Sequence, residues 1–165
     1  MSVREEAGVI RGDLSDKLIH LTRGDSEQAA AATFLTILQE GKLRGGTGCI
    51  KGTFRCVCFS EAPLSNLSQI LASPGAHGVR YKPFGIMLPK TWLFGRGGRP
   101  VIYQSDDEYS LLHDSQKYRH VRYAPDTIDF TWEREWRIQT DELLLEPEHT
   151  TVVVPTRAWE EWLQD

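Results

Sequence analysis

Nine consecutive residues, Phe130-Thr131-Trp132-Glu133-Arg134-Glu135-Trp136-Arg137-Ile138, alternate bulky and charged side chains. A period of two is the signature of a strand. It puts Phe130, Trp132, Arg134, Trp136 and Ile138 on one face and Thr131, Glu133, Glu135 and Arg137 on the other. Burying two tryptophans and a phenylalanine holds such a strand rigidly, and rigid elements carry sites that need fixed geometry. Glu133 and Glu135 share a face and repel each other unless a cation or ligand lies between them. Arg137 continues that face, so the plain alternative is a charged edge in solvent, whose ion pair contributes at most about 1 kcal/mol. The aromatic backing favours a protected position.

The chain around this stretch is that of an ordinary globular protein. Its 165 residues, 40% hydrophobic and 25% charged, suffice for one domain with a sizeable core and no need of disulfides or structural metal. A net charge of -4 gives no global attraction to nucleic acid, although a local basic patch could still bind it. No apolar run reaches the ~18 residues of a spanning helix, and Met1 to Glu6 lacks a signal-peptide core, so a cytoplasmic protein with no membrane partner is expected. Cys49, Cys56 and Cys58 are odd in number and close together. This argues against a secreted disulfide framework, and Cys-x-Cys lacks the usual zinc spacing, so the thiols are expected to be buried and no metal is expected.

Taken in order, residues 1–14 read as a loose lead-in and Lys17–Thr22 as a first strand. Asp25, with Gln28 three residues on, caps an expected helix over Ser26–Glu40. Its alanines, Phe34, Leu35, Ile37 and Leu38 form an apolar stripe, and Gly41 stops it. Gly41–Gly52, with five glycines in twelve residues, reads as a loop without regular structure that could reach over a pocket. Phe54–Ser60 is a strand with Cys56, Cys58 and Ser60 on one face, and Ser65–Leu71 a short helix before a Ser73–Gly78 loop. Phe84–Leu88 and Val101–Tyr103 are strands on either side of a Gly95–Pro100 turn. Ser105 and Glu108 form a capping-box pattern before a helix over 106–118, and His120–Tyr123 is extended. Leu143–Leu145 and Thr150–Val154 are late strands. Thr156 caps a terminal helix that packs Trp159, Trp162 and Leu163. Many strands with few helices make an α+β domain.

The chain has no GxGxxG after a strand, no Walker A loop, no HExxH and no GxSxG. Gly95–Arg99 is glycine-rich but opens no helix, so it reads as a turn. A serine hydrolase would need a nucleophile elbow around Ser60 and an acid to orient His20. A glycosidase would need two carboxylates straddling a sugar, which neighbours on one strand seldom do.

Three pieces, His20-Leu21-Thr22 on a first strand, Phe59-Ser60 at the end of a second and Glu133-Arg134-Glu135 on a late one, resemble the three-strand signature of the ADP-ribosyltransferase fold. The opening strand and the helix ending Ile37-Leu38-Gln39-Glu40-Gly41-Lys42-Leu43 are similar to the start of the DNA-targeting ADP-ribosyltransferase toxins. The wider pattern resembles the AbiGi-type abortive phage resistance family. It runs through Cys58-Phe59-Ser60-Glu61-Ala62-Pro63-Leu64, Tyr81–Lys90, Pro100–Tyr103 and Trp132–Ile138, and covers most of residues 17–138.

The resemblance implies split, mixed or antiparallel sheets with a few flanking helices, and an NAD-consuming bacterial transferase acting on a nucleic acid or a protein. The implied setting is a toxin–antitoxin or phage-defence system. In that pattern the second glutamate, Glu135, is catalytic and binds the ribose 2′-hydroxyl, while Glu133 orients the acceptor. His20 binds the adenosine-side ribose, and the backbone at Leu21 and Thr22 holds the nicotinamide amide. Ser60 supports Glu135 or the nicotinamide ribose, Arg23 or Arg44 meets the pyrophosphate, and Tyr81 or Tyr103 stacks on nicotinamide. Glu61 stands about where the toxins carry an arginine. The same resemblance allows a second role, a transferase-like module that binds a cognate partner without catalysis.

Overall fold

The computed structural model describes residues 15–67 and 81–164. The expected lead-in, most of the Ser65–Leu71 helix and the Ser73–Gly78 loop lie outside them. The first strand, β1 (Lys17–Arg23), buries Leu18, Ile19, Leu21 and Thr22, as a strand covered on both faces must. Helix α1 (Glu27–Glu40) follows at once. Its cap is Ser26 rather than Asp25: the Ser26 side chain accepts the Ala29 N–H at 3.1 Å, which satisfies one of the orphan donors of the first turn. Gly41 ends the helix at φ 64° with its N–H on the Ile37 carbonyl, a conformation glycine adopts without strain. Ala30, Ala31, Phe34 and Ile37 are the buried face of α1.

The expected glycine-rich loop is partly wrong. Directly after Gly41 the chain forms β2 (Lys42–Arg44), antiparallel to β9 (Glu142–Leu144), with Leu43 and Leu143 both buried. Nothing local announces a three-residue strand whose partner lies a hundred residues on. The remaining strands are β3 (Cys56–Ser60), β4 (Tyr81–Pro89), β5 (Arg99–Pro100), β6 (Ile102–Gln104), β7 (His120–Arg122), β8 (Glu135–Gln139) and β10 (Thr151–Val153). A short helix, α2 (Lys90–Gly95), continues from β4, and α3 (Arg157–Gln164) closes the described chain. The main sheet is antiparallel, in the order β10-β4-β1-β3-β8-β5, beside the β2-β9 pair and a parallel β6-β7 pair. The fold is α+β.

One face of the main sheet carries Leu18, Val57, Phe59, Phe84, Ile86, Leu88, Trp136 and Ile138, packed with α1 and with Trp92 and Leu93 of α2 into the principal core. Trp159 joins it edge-on to Phe84, with ring centroids 5.0 Å apart, and Leu163 packs beside it. Trp162 does not join them. It is 58% exposed and meets Trp159 edge-on. Of the cysteines, Cys56 is buried and Cys58 half-buried, but Cys49 is exposed.

Two further expectations need correction. The helix over 106–118 is instead two 3-10 turns, Asp106–Leu111 and Asp114–Arg119, separated by extended backbone. The Ser105–Glu108 capping box does form, but no residue of the first turn is buried, so no apolar stripe sustains a longer helix. The nine-residue strand is also only half a strand. Thr131–Glu133 is a 3-10 turn, Arg134 has φ 47° and ψ 53°, and β8 begins at Glu135. Among the described residues, no helix is long and apolar enough to cross a membrane.

Between β1 and β4 the register runs from Lys17↔Pro89 to Leu21↔Gly85. A Cβ on Gly85 would stand 2.6 Å from the His20 carbonyl oxygen, which is backbone and cannot swing away. Gly85→Ala is therefore expected to cost about 1–3 kcal/mol, the range for overpacking a filled site, read as a lower urea midpoint at unchanged slope. A midpoint equal to that of the wild type would contradict this packing.

Candidate active site

The main sheet comes apart in its middle. β1 and β3 share one residue pair, Ile19↔Ser60, whereas β1 with β4 and β3 with β8 pair along most of their lengths. Beyond Ile19 the two strands diverge. The His20 side chain enters the gap, its Nδ1 2.8 Å from the Cys58 carbonyl oxygen and its ring edge-on to Phe59. A carbonyl can only accept, so Nδ1 carries the proton and Nε2 is left as an acceptor. Burial, reinforced by the charge of Arg23, pushes the His20 pKa below its ordinary value despite the opposing bond to Cys58. The ring is neutral near pH 7.

A cavity of about 320 Å³ occupies this opening, with His20, Thr22, Arg44, Ser60 and Trp132 in its walls. A larger one of about 650 Å³ adjoins it, walled on its apolar side by Val121, Ile128 and Phe130. Both volumes lie within the usual range for small-molecule sites. Arg23, Gly48, Cys58, Tyr81, Glu133 and Glu135 line both. The two glutamates thus stand where the cavities meet.

The two glutamates reach that position by different routes. Glu133 sits on the 3-10 turn, whose backbone is held from several sides: Ser60 Oγ donates to the Glu133 carbonyl and Glu61 N–H to the Arg134 carbonyl at 3.0 Å. Glu135 opens β8 opposite Ser60. Its carboxylate is gripped by Arg137, with Nε to Oε1 at 2.8 Å and Nη2 to Oε2 at 3.3 Å. Arg137 is 2% exposed, and its Nη1 donates to the carbonyls of Tyr118 and His120. Glu135 and Arg137 thus have the protected position that the aromatic backing favours, and the alternative of a charged edge in solvent fails, because the 3-10 turn at Asp114–Arg119 and β7 cover them. A buried guanidinium with carbonyl partners on one side and a carboxylate on the other meets the conditions under which a buried pair is tolerable.

Burial and the charge of Glu135 raise the Glu133 carboxyl to about 7, against the opposing pull of Arg23, Arg137 and a hydrogen bond from Tyr81. Tyr81 also binds Arg23, its hydroxyl 2.7 Å from Nη2, and burial pushes its phenol up. The Cys58 thiol is likewise pushed up, chiefly by burial and then by Glu135, to which it hydrogen-bonds. It is held protonated beside the carboxylates.

The structure gathers His20, Leu21, Thr22, Arg23, Arg44, Ser60, Tyr81, Glu133 and Glu135 around the opening. Several do so in unexpected ways. Thr22 turns its hydroxyl to the carbonyls of Ala30 and Phe84, Ser60 holds the Glu133 backbone rather than the Glu135 side chain, and Arg44 is paired with Glu40 and Glu142. Tyr103 lines neither cavity among the described residues. Its hydroxyl is tied to Phe130 O and Glu135 N. Glu61, in the position read against an arginine, is buried under a salt bridge to Lys90 and a bond from Trp136 Nε1 at 2.9 Å. Sequence reasoning missed the burial of Arg137 and the walls at Phe130, Ile128 and Val121. The i, i+2 spacing of Glu135 and Arg137 was visible, but the carbonyls that bury the guanidinium are not encoded locally.

A carboxyl raised from 4.5 to about 7 binds more protons folded than unfolded across that window. Stability therefore falls as pH rises from about 4.5 through about 7, by at most on the order of 3 kcal/mol. Glu133→Gln removes this dependence, and the variant is expected to be more stable than wild type at pH 8 and to differ less at pH 5. Urea midpoints at the two pH values test this, and parallel wild-type and variant curves would contradict the buried carboxyl.

Scanned against protein-family models, curated proteins and solved structures, the chain matches none of them, which leaves the residues of the cleft as the ground for a functional reading.

Proposed function

We propose that the protein is an NAD-dependent ADP-ribosyltransferase, a bacterial toxin or phage-defence effector acting on a nucleic acid or protein. The observation that carries the reading is the placement of Glu133 and Glu135 together where two cavities meet, beside His20 in the opening between β1 and β3. It agrees with the His, Ser and Glu-x-Glu pattern in the sequence. Two joined cavities suit a reaction with two substrates.

In this reading the bond between ribose C1′ and the nicotinamide nitrogen breaks with its electron pair leaving on nicotinamide. The oxocarbenium-like C1′ that develops is stabilised by the Glu135 carboxylate, which Arg137 holds in place before the reaction begins. The acceptor then bonds to C1′ and gives its proton to Glu133. A carboxyl near 7 is matched to that task at neutral pH. His20 offers Nε2 to a ribose hydroxyl, Arg23 lies within reach of the pyrophosphate, and Tyr81 supplies a ring at the junction.

A second reading is favoured by one observation: both Glu135 oxygens are already engaged by Arg137. A carboxylate committed to an internal pair fits a transferase-like module that binds a partner, or acts as an antitoxin, without turning NAD over.

Nicotinamide release from NAD separates the two. The transferase reading expects turnover by the wild type and a loss of about 10²–10³ in kcat for Glu135→Gln, with NAD affinity within a few-fold. It also expects kcat to rise with pH through about 7 as Glu133 ionises, and this limb to vanish in Glu133→Gln. A wild type that neither binds nor cleaves NAD overturns the transferase reading in favour of the binding module.

A further inference from the structure

The ladder between β5 and β8 ends in an unusual way. Its register, Arg99↔Arg137 and Pro100↔Trp136, continues to Val101 opposite Glu135, where Val101 N–H donates to the Glu135 carbonyl at 3.0 Å. In a regular antiparallel pair the Glu135 N–H would return the bond to Val101. It goes instead to the Tyr103 hydroxyl at 3.1 Å, and that hydroxyl also meets the Phe130 carbonyl at 3.2 Å. A carbonyl can only accept and an N–H only donate, so the phenol oxygen accepts a hydrogen bond from the Glu135 N–H and its O–H donates one to the Phe130 carbonyl.

One side-chain oxygen thus spans both ends of the segment from Phe130 to Glu135. Between those ends lie the 3-10 turn, the left-handed Arg134 and Glu133. Ser60 and Glu61 hold the same segment from the β3 side, through the Glu133 and Arg134 carbonyls. The turn is gripped from two directions, and Tyr103 is the grip on the side of β5 and β6. The geometry points to Tyr103 as a positioning residue that sets the separation of the Glu133 and Glu135 carboxyl groups by bridging the backbone at both ends of their turn. Its effect on catalysis rests on the transferase reading, whereas its effect on the two carboxyls does not.

The phenol has the proton this role requires, since burial and the neighbouring glutamates push its pKa up to about 12. The groups that face Glu133 are Tyr81 and Arg23 from the β1–β4 half and Glu135 and Arg137 from β8. Tyr103 touches none of these side chains in the bonds described above. It acts through the backbone.

Tyr103→Phe keeps the ring and removes both bonds, and p-aminophenylalanine at position 103 restores a group that donates and accepts. Carbon-13 NMR of Glu-labelled protein follows the Glu133 titration without reference to activity. The expected result is a Glu133 midpoint displaced from about 7 towards ordinary carboxylate values in Tyr103→Phe, and returned by p-aminophenylalanine. With NAD as the probe, kcat is expected to fall by about tenfold or more with little change in KM, since a small misplacement of reacting groups is costly. A Glu133 midpoint unmoved in Tyr103→Phe overturns the proposal, as does a displaced midpoint that p-aminophenylalanine fails to restore. Should Tyr103→Phe not fold, p-aminophenylalanine alone decides: a wild-type midpoint supports the bridge and a displaced one overturns it. An inert wild type overturns the transferase reading, and the titration still decides the role of Tyr103.

Discussion

The pair Ile19↔Ser60 is where the two halves of the main sheet are joined, and everything at the cleft depends on the ladder going no further. Had β1 and β3 continued to pair, His20 would lie within an unbroken sheet and the smaller cavity would be closed by backbone bonds. The separation leaves backbone groups that a continuous ladder would have used, and the His20 imidazole takes one of them, the Cys58 carbonyl. Filling a lost ladder bond with a side chain recurs across the site. Tyr103 does it for Glu135, and Ser60 binds the carbonyl of Glu133. Irregular backbone is tolerated inside a protein only where such partners satisfy it.

The electrostatics of the cleft follow from that enclosure. Two carboxyl groups are brought to one enclosed junction, and they are not treated alike. Glu135 receives a buried arginine, while Glu133 receives a phenol and the more distant charges of Arg23 and Arg137. The pair is thereby split into a carboxylate held by a cation and a carboxyl that titrates near neutrality, the kind of division that acid–base sites employ. The same burial makes Glu133 a destabilising group above neutral pH. A residue kept at the expense of stability is more readily explained by chemistry than by folding.

Much of this was legible in the sequence, because the relevant signals are local. The period of two in Phe54–Ser60 set Val57 and Phe59 apart from Cys56, Cys58 and Ser60, a division the core follows for Val57 and Phe59, and Gly41 marked the end of α1, whose start is capped by Ser26 and not by the expected Asp25. The stretch from Phe130 to Ile138 shows where such reading stops. Its alternation predicts one strand, yet only Glu135–Gln139 is a strand. Trp132 is drawn into a separate cluster with Ile19, Leu21, Ala62 and Leu67, and Phe130 faces the larger cavity. Tertiary contacts overrode the period, and Arg134 adopted a left-handed conformation that no pattern of apolar residues foretells. Glu133 still reached the cleft, by a turn rather than by a pleat.

Binding of NAD in the opening between β1 and β3 is the central claim. Nitrogen-15 NMR of imidazole-labelled protein addresses it through His20, whose Nδ1 is held by Cys58 and whose Nε2 is open to a ligand. With the His20 signals assigned from their loss in His20→Gln, saturating NAD is predicted to shift the Nε2 resonance while Nδ1 stays protonated. His20 resonances that do not move at any NAD concentration would contradict the account.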